Sequence, residues 1–311
     1  MKIAILIPCY NEELTIEKVI KDFKRELPEA EIYVYDNNSK DRTYDVALKN
    51  GAIVKKEFRQ GKGNVVRSMF MDIDADCYVM VDGDDTYPAE FVHSLIKPIL
   101  NKEANMVIGD RLSNGTYKNE NKRAFHNLGN VTVRVLINKL FSSNINDIMT
   151  GYRGFDKEFV KSMPILSEGF EIETEMSIHA LDKKFLIKEI PIDYRDRPNG
   201  SFSKLNTIND GIKVIKTIFT LFKDYKPMLF FTFWSLLFLV LGLAVGTPVI
   251  YEFLETSIIT KLPSAVLAVG LVILSTLSFS CALILDTVVK QNKRLYELHL
   301  NEIKYRINHD K

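Results

Sequence analysis

The sequence predicts an α/β protein, with a doubly wound, mostly parallel sheet followed by an amphipathic segment and a two-helix transmembrane hairpin. Strand and helix patterns alternate through residues 1–115, as expected when crossover helices join parallel strands. Two uncharged segments, 228–251 and 262–285, are each long enough to cross a hydrocarbon layer about 30 Å thick as a helix. Lysines concentrate just before the first segment and just after the second.

The strands are predicted from short apolar segments that end at polar residues. Between them, apolar residues recur at helical spacing, most clearly in "ELTIEKVIKDFKREL", where Leu14, Val19, Ile20 and Phe23 share one face. The predicted strands are "KIAILIP", "EIYVYD", "AIVKKE", "CYVMVD", "NMVIGD" and "FLIKEIPIDYRDRP"; the other predicted helices are "YDVALKNG", 64–73, a helix after Pro88, 125–141 and "FEIETEMSIHALDKK".

Polar residues follow three of the predicted strands directly, at 8–12, 36–39 and 82–85. The carboxyl ends of parallel strands meet at one edge of a sheet, and doubly wound sheets bind their ligands there. We therefore expect the functional site at this edge.

The residues around the two apolar segments predict how the chain meets a membrane. Lysines flank the pair, whereas the connecting "EFLETSIITK" holds two Glu and one Lys, so the positive-inside rule places both termini in the cytoplasm. The preceding "LNTINDGIKVIKTIFTLFKDY" predicts a basic amphipathic helix in the lipid interface, with an ordinary surface helix as the alternative. For the apolar pair, the alternative is two buried core helices. The predicted organisation is a sheet domain at 1–204, an interfacial region at 205–227, transmembrane helices at 228–251 and 262–285, an external loop at 252–261 and a cytoplasmic helix at 286–311, which could pack against another subunit.

Charge and composition argue against several classes of protein. The net charge is +1, so no overall basic field predicts nucleic-acid binding. The cysteines Cys9, Cys77 and Cys281 have no metal-ligand spacing and predict no disulfide, which fits a reducing cytosol. The five histidines form no H-x-x-x-H pair, so a zinc site is not expected. The N-terminal "MKIAILIPCYNEE" is too short and too soon acidic for a signal peptide.

The D-x-D segment Asp82-Gly83-Asp84 follows the predicted strand "CYVMV" and is a candidate metal site. Hard carboxylate oxygens suit Mg²⁺ or Mn²⁺, which take further ligands from water and substrate phosphates. Gly83 is interpreted as leaving room for a ligand to approach the backbone. Isolated D-x-D sequences are commonly solvated turns, and the strand before this one favours the functional interpretation.

Together these motifs resemble a known family. "ILIPCYNEE", "YDNNSKDRT", "GKGNVVR" and "VDGDDTYP" are similar to segments of family 2 glycosyltransferases with the GT-A fold, whose sheet is Rossmann-like and mostly parallel. With "GDR", "TGYRGF" and "RDRPNGSFSKL" before two apolar segments, the chain resembles the polyprenyl-phosphate glycosyltransferases, over about residues 1–290. These include dolichol-phosphate mannosyltransferases and bacterial undecaprenyl-phosphate glucosyl- and N-acetylglucosaminyltransferases.

The resemblance implies a role for each matching residue. Arginine suits phosphate because its planar fork matches two oxygens. For Asp147 the implied role is a base or an acceptor-orienting group, and the alternative is a loop cap. The implied nucleotide-sugar residues are Pro8, Tyr10, Glu12, Asp36, Lys62, Asp82 and Gly83; the metal ligands, for Mg²⁺ or Mn²⁺, are Asp82 and Asp84; the catalytic residues are Asp84, Asp147 and Arg153; the acceptor and phosphate residues are Arg111, Arg123, Arg197, Ser203 and Lys204.

Two residues depart from the family pattern. Asn37 stands where a second acid usually follows the second strand, and Thr86 stands where dolichol-phosphate mannosyltransferases place a metal-binding glutamine. The second departure weakens the case for a GDP-mannose donor. Asp85 either faces the sugar or supports its loop. In "FEIETE" at 170–175, Glu171 and Glu175 share a helix face whereas Glu173 does not. A solvated helix face is the favoured interpretation of these glutamates, and the alternative is that one of them faces the sugar.

The resemblance implies an inverting glycosyltransferase, anchored in a bacterial cytoplasmic membrane with its catalytic domain in the cytoplasm. It would move glucose or N-acetylglucosamine from a UDP-sugar to undecaprenyl phosphate and supply a lipid-linked sugar for cell-surface glycans. It would be a homo-oligomer, with a tetramer as one option. The alternatives are a GDP-mannose donor, a sugar-chain or lipid-hydroxyl acceptor, and a non-catalytic scaffold that binds a nucleotide-sugar. Enzymes that use a sugar-chain or lipid-hydroxyl acceptor usually carry a Q-x-x-R-W segment and more spans, neither of which this sequence has.

Overall fold

The computed structural model describes residues 1–114, 124–169, 171–197, 219–220 and 222–309, and side chains are described from residue 131 onward in the second range. The chain divides into two compact units, Met1–Asp210 with Asn301–Lys311, and Gly211–Leu300. Most of the predicted interfacial region at 205–227 lies outside the described residues, so its helix stays a prediction.

The described strands of the first unit are β1 (Ile3–Cys9), β2 (Glu31–Asp36), β3 (Ile53–Lys56), β4 (Cys77–Met80), β5 (Met106–Asp110), β6 (Arg153–Asp156) and β7 (Ile187–Pro191). They form one sheet in the order β3-β2-β1-β4-β6-β5-β7. All neighbouring pairs are parallel except those of β6, which runs antiparallel to both β4 and β5. The mostly parallel sheet predicted from the sequence is confirmed, with one reversed strand that was not predicted.

Helices of the described residues follow the strands in the expected alternation. Burial on α1 agrees with the predicted face at Val19, Ile20 and Phe23 but not at Leu14, which is 65% exposed because the helix begins only after it. The helices are α1 (Ile16–Glu26), α2 (Thr43–Lys49), α3 (Lys62–Asp72), α4 (Val92–Leu100), α5 (Ala124–Phe141), α6 (Lys157–Ser162), α7 (Ile172–Asp182), α8 (Pro227–Thr256) and α9 (Leu262–His309).

The central strands β1, β4 and β5 are buried along their whole length. Continuous apolar runs are what a strand needs when helices cover both faces of its sheet. The reversed β6 has only four residues, among them Gly154, where an added Cβ would lie 3.2 Å from the carbonyl oxygen of Leu95 in α4. Helix α4 therefore packs closely on the middle of the sheet.

Backbone contacts bring the loops after β1, β2 and β4 together. Asn37 N–H donates to the Cys9 carbonyl at 2.8 Å, and the Thr15 hydroxyl donates to the Gly83 carbonyl at 2.6 Å. An added Cβ on Gly83 would lie 2.7 Å from Cys9 Sγ. The glycine therefore makes room for Cys9 of β1 within the fold, and its interpretation as a place where a ligand approaches the backbone stays a prediction.

Helices α8 and α9 are both long and apolar enough to cross a membrane, judged by length and composition. Only 11% and 17% of their most apolar windows are buried, which argues against two core helices. The predicted spans 228–251 and 262–285 lie within them, and α9 continues unbroken through the predicted cytoplasmic helix to His309. Small or short residues recur at every seventh position where the two helices meet, which lets their backbones approach closely. They are Ser235, Gly242 and Val249 on α8, and Ala268, Ser275 and Ala282 on α9.

Candidate active site

The residues predicted to bind the nucleotide gather at the carboxyl ends of the central strands. Asp36 ends β2 and is 2% exposed, and its carboxylate accepts a hydrogen bond from Ser39 N–H. Pro8 is buried in β1, and the partly exposed Tyr10 and Glu12 follow it. The Glu12 N–H donates to Thr43 Oγ1 at 2.8 Å, which fixes the loop after β1 against α2. The predicted edge of the sheet is thus the one where these residues meet.

Asp82 forms one half of the acidic pair and is held by a buried lysine. Lys62 Nζ lies 2.5 Å from Asp82 Oδ1 and 2.5 Å from Glu173 Oε1, so one ammonium bridges two carboxylates. Burial alone would lower the pKa of Lys62, but the charges of Asp82 and Glu173 outweigh it and raise that pKa. Gly151 completes the packing, since an added Cβ there would lie 2.5 Å from Asp82 Oδ2. The lysine therefore stays charged and in place.

Asp84 forms the other half of the pair and is bonded through both oxygens. Its Oδ1 accepts from the Thr86 hydroxyl at 2.7 Å, and its Oδ2 lies 2.5 Å from an Arg197 guanidinium nitrogen. Burial is the main cause that raises the pKa of Asp84, and repulsion from Asp82 raises it further. Thr86, the departure from the family pattern, thus orients Asp84 by a direct hydrogen bond.

Asp85 turns away from this pair. Its φ of 60° is in the left-handed region, and its carboxylate forms an ion pair with Lys18 of α1 at 2.6 Å. Of the two roles left open by the sequence, the geometry favours support of the loop.

The loop before Lys62 is held by Asn37, the other departure from the family pattern. Its amide nitrogen donates to the Glu57 and Arg59 carbonyls at 2.9 and 2.8 Å, while its oxygen accepts from Gly61 N–H at 2.7 Å. Gly63 N–H donates to the Glu168 carbonyl at 2.9 Å. The two donations from the Asn37 amide nitrogen account for an amide at position 37, because a carboxylate has no N–H to donate.

Arg111 and Asp147 form a buried bidentate pair. Arg111 Nε and one terminal nitrogen lie 2.7 and 2.9 Å from the two oxygens of Asp147. Burial alone would raise the pKa of Asp147, but Arg111 outweighs it and holds the pKa below its usual value. Asp147 N–H in turn donates to Glu189 of β7 at 3.0 Å. Such a carboxylate is a poor proton acceptor, so the geometry favours a positioning role for Asp147.

Arg153 is fully buried and bonded to backbone carbonyls and one hydroxyl. It is 0% exposed, and its guanidinium donates to the carbonyls of Ile148 and Thr150 at 2.5 and 2.9 Å and to the Ser177 hydroxyl at 3.0 Å. Burial lowers the pKa of Arg153 to about 10, so it remains charged at neutral pH. In this geometry Arg153 fastens the 148–150 loop to α7, and its predicted catalytic role stays a prediction.

The family model described as "Glycosyl transferase family 2" matches residues 4–163, half of the chain. "Glycosyltransferase AglJ" of Haloferax volcanii is 33% identical over 304 residues, which is 95% of this chain and 98% of the relative. The chain belongs to glycosyltransferase family 2. Two other relatives match shorter parts of this glycosyltransferase: "Protein RfbJ" of Shigella flexneri, 54% identical over 113 residues (36% of this chain, 88% of the relative), and "Dolichyl-phosphate hexose transferase" of Haloferax volcanii, 29% identical over 216 residues (70% and 92%).

Among solved structures, glucosyl-3-phosphoglycerate synthase of Mycobacterium tuberculosis, in complex with Mn²⁺, UDP and phosphoglyceric acid, has a TM-score of 0.57. It is 22% identical, and the match covers 71% of this chain and 78% of that chain. The similarity shows the GT-A fold of the glycosyltransferase.

The donor set of the acidic pair suits the divalent cation that the family implies. Asp82 and Asp84 offer carboxylate oxygens, the ligand type that Mg²⁺ and Mn²⁺ prefer. Within the described ranges, no group of three or more His, Cys, Asp or Glu residues could form a complete protein cage. Two carboxylates fit a cation that takes its other ligands from water and a diphosphate. When bound, such a cation would neutralise charge on the diphosphate.

Sequence reasoning overlooked two acidic residues that the structure connects to predicted site residues, Glu173 and Glu189. Glu173 was assigned to a solvated face, which is wrong, since it is 5% exposed and bridges Lys62. On a helix, Glu173 lies on a different face from Glu171 and Glu175, and this difference was the sequence signal for its burial. Glu189 gave no signal, because its partners lie on a distant loop. Arg123, Ser203 and Lys204 lie outside the described residues, and their roles stay predictions.

Proposed function

We propose that this glycosyltransferase moves a sugar from a UDP-sugar to undecaprenyl phosphate at the cytoplasmic face of a bacterial membrane, with inversion to a β-linked product. Glucose and N-acetylglucosamine are the proposed sugars, and the product would supply a cell-surface glycan. The observation that carries the proposal is the acidic pair Asp82 and Asp84 with Lys62 and Arg197 beside it, at the strand ends that also present Asp36.

The donor side of the proposal is supported by charge. A cation held by Asp82 and Asp84, together with Lys62, would stabilise the departing nucleoside diphosphate. The solved relative that shares the fold was determined with UDP and Mn²⁺. The Thr86 hydroxyl donates its hydrogen bond to Asp84. Thr86 stands where dolichol-phosphate mannosyltransferases have a metal-binding glutamine, and this difference is consistent with a donor other than GDP-mannose.

The acceptor side is supported by chemistry and by the name of one relative. A lipid phosphate is already ionised at neutral pH, so its oxygen can attack the sugar without a strong general base. The paired state of Asp147 agrees with a reaction that needs no such base. One similar protein is named for transfer of a hexose to dolichyl phosphate, and α8 and α9 are apolar enough to hold an enzyme at a lipid surface.

The experiment is a lipid-product assay on membranes that contain the protein. Membranes are incubated with radiolabelled UDP-glucose, UDP-N-acetylglucosamine or GDP-mannose, and the lipid is extracted after addition of undecaprenyl phosphate. We expect label in the lipid from one UDP-sugar, and EDTA should abolish it. Asp84→Asn should lower transfer at least about a hundredfold, whereas Asp85→Asn, which alters the neighbouring acid bonded to Lys18, should leave it unchanged.

Label from GDP-mannose alone would contradict the proposed donor. The absence of labelled lipid from every donor would favour the non-catalytic scaffold. Full activity of Asp84→Asn would contradict the proposal that Asp84 holds a divalent cation needed for transfer.

A further inference from the structure

Each carboxylate of the acidic pair carries a cation supplied by the protein itself. Asp82 is paired with Lys62 and Asp84 with Arg197, both at 2.5 Å. The oxygens of these carboxylates are also proposed to hold the divalent cation, so Lys62 and Arg197 compete with the metal for the same negative charges. This competition involves Arg197, and it rests on the proposed function because that function requires the divalent cation.

The two protein cations differ in how firmly they are held. The Lys62 side chain is 9% exposed and bridges a second carboxylate, Glu173, which is itself buried. The Arg197 side chain is 30% exposed. Lys62 is therefore enclosed with its two carboxylates, whereas the Arg197 guanidinium has solvent beside it and room to turn towards another anion.

Asp84 offers little room for a metal while Arg197 remains. Thr86 occupies Oδ1 with its hydroxyl and its N–H, at 2.7 and 3.3 Å, and so directs Oδ2 towards Arg197. A divalent cation at this carboxylate would face a guanidinium charge within a few ångströms in a partly buried place, where repulsion is poorly screened. Metal binding at Asp84 therefore requires Arg197 to move or to gain another anionic partner.

The donor brings such a partner. A diphosphate presents several anionic oxygens, and the guanidinium fork binds two of them at once. The backbone before Arg197 is tied to the same loop, since Arg195 N–H donates to the Thr86 carbonyl at 2.9 Å, so the side chain can change partners without moving its segment.

We propose that Arg197 holds Asp84 until the diphosphate of the donor draws the guanidinium away, so that the divalent cation and the nucleotide bind cooperatively. The protein then binds the metal weakly when no donor is present. By linkage, the factor by which the nucleotide raises metal affinity equals the factor by which the metal raises nucleotide affinity.

The test measures Mn²⁺ binding by electron paramagnetic resonance on the full chain in detergent, with and without UDP. For the wild type we expect weak binding of Mn²⁺ alone and binding at least about tenfold tighter with UDP. Arg197→Gln should bind Mn²⁺ alone about ten- to a hundredfold more tightly than the wild type, because no charge-assisted contact has to be broken. UDP should then add correspondingly less.

Two variants serve as controls. Arg195→Gln removes an exposed arginine paired with Glu90 and should match the wild type. Arg197→Lys keeps the positive charge and should keep Mn²⁺ binding weak. Thermal unfolding of each variant at the wild-type temperature verifies the fold.

An unchanged or weaker affinity for Mn²⁺ alone in Arg197→Gln would overturn the proposal, as would Arg197→Lys behaving like Arg197→Gln. The lipid-product assay on the same preparations separates this inference from the proposed function. Lipid product without any change in Mn²⁺ affinity overturns the coupling alone. The expected Mn²⁺ affinities without lipid product from any donor overturn the function alone.

Discussion

Asp82 and Asp84 of "VDGDDTYP" lie two residues apart, yet they belong to differently built sides of the site. On the Asp82 side, Lys62 is enclosed between two carboxylates, and Asn37 holds the loop before it. On the Asp84 side, the counter-charge is Arg197, which is partly exposed. Burial thus separates charges that the sequence presents as equivalent, since the Lys62 side chain is 9% exposed and the Arg197 side chain is 30% exposed. One side is a scaffold, and the other is arranged for exchange of partners.

The largest expected effect comes from removing the cation on the Asp82 side. Lys62→Met would leave Asp82 and Glu173 facing each other without a counter-charge, and should lower the free energy of unfolding by about 3–5 kcal/mol. Transfer to the lipid should fall about a hundredfold. Thermal unfolding in detergent and the lipid-product assay measure the two effects. Lys62→Met combined with Glu173→Gln should recover part of the stability; strictly additive losses would contradict the bridge.

A smaller effect is expected from the pair between Arg111 and Asp147. Asp147→Asn would replace the bidentate carboxylate that faces the buried Arg111 with a neutral amide, at a cost of about 2–4 kcal/mol in the free energy of unfolding. Denaturant unfolding measures this cost. If Asp147 positions Arg111 and is not a base, residual transfer should keep the pH dependence of the wild type. Loss of the acidic limb of the pH profile would instead identify a proton acceptor, because a base must be deprotonated to act.

A pH-dependent effect is expected from Glu57, at the start of the loop before Lys62. Hydrogen bonds from Arg59 and Ser68 outweigh burial and lower the pKa of Glu57 from 4.5 to about 2. A carboxylate with a lowered folded-state pKa stabilises the fold above its unfolded value, and this contribution is lost as the pH falls from about 4.5 to about 2. Glu57→Gln should therefore cost about 1–3 kcal/mol at pH 7 and progressively less towards pH 3.

Unfolding curves recorded between pH 7 and pH 3 test the Glu57 effect. Glu90→Gln is the matched control, since it removes an exposed ion pair with Arg195 and should cost less than about 0.5 kcal/mol. A Glu57→Gln cost that does not change with pH would show that the loop does not depend on this charge.

The smallest effect is expected at Tyr152, whose ring packs against Phe23 and Tyr87. The Tyr152 hydroxyl is buried without a hydrogen-bond partner in the part of the chain that the structure describes. Tyr152→Phe should be neutral or stabilise the protein by up to about 1 kcal/mol, since a buried unsatisfied hydroxyl is removed. Tyr78→Phe is the control. Its hydroxyl bonds to Ala75 N–H and the Ile73 carbonyl, so its loss should cost about 1 kcal/mol in thermal unfolding. A clear loss for Tyr152→Phe would reveal an additional partner.

Particular elements show how far local pattern could predict this fold. The strands up to β5 were predicted because each is a short apolar run that ends at polar residues, a signal contained in a few neighbouring residues. The reversed strand β6 was not predicted. Its four residues, "RGFD", carry no alternation of their own and become a strand only by pairing between β4 and β5.

The site divides in the same way. The acidic pair was predicted because strand ends of a parallel sheet share one edge. The bridge to Glu173 crosses 111 positions of sequence, and the pair between Arg111 and Asp147 crosses 36. Arg153 shows the same limit. Its sequence motif marks the residue without indicating that its guanidinium is enclosed by carbonyl groups.

The sequence by itself determined the α/β class, the edge of the sheet where the acids gather and the two apolar segments at 228–251 and 262–285. These features follow from hydrophobic periodicity and segment length, which are local properties. The tertiary structure decided which cation each acid receives, that Glu173 is buried, and that Asp147 and Arg153 hold loops in place. Those outcomes depend on burial and on charges from distant segments, which raise or lower the cost of each ionised group only once the chain has folded.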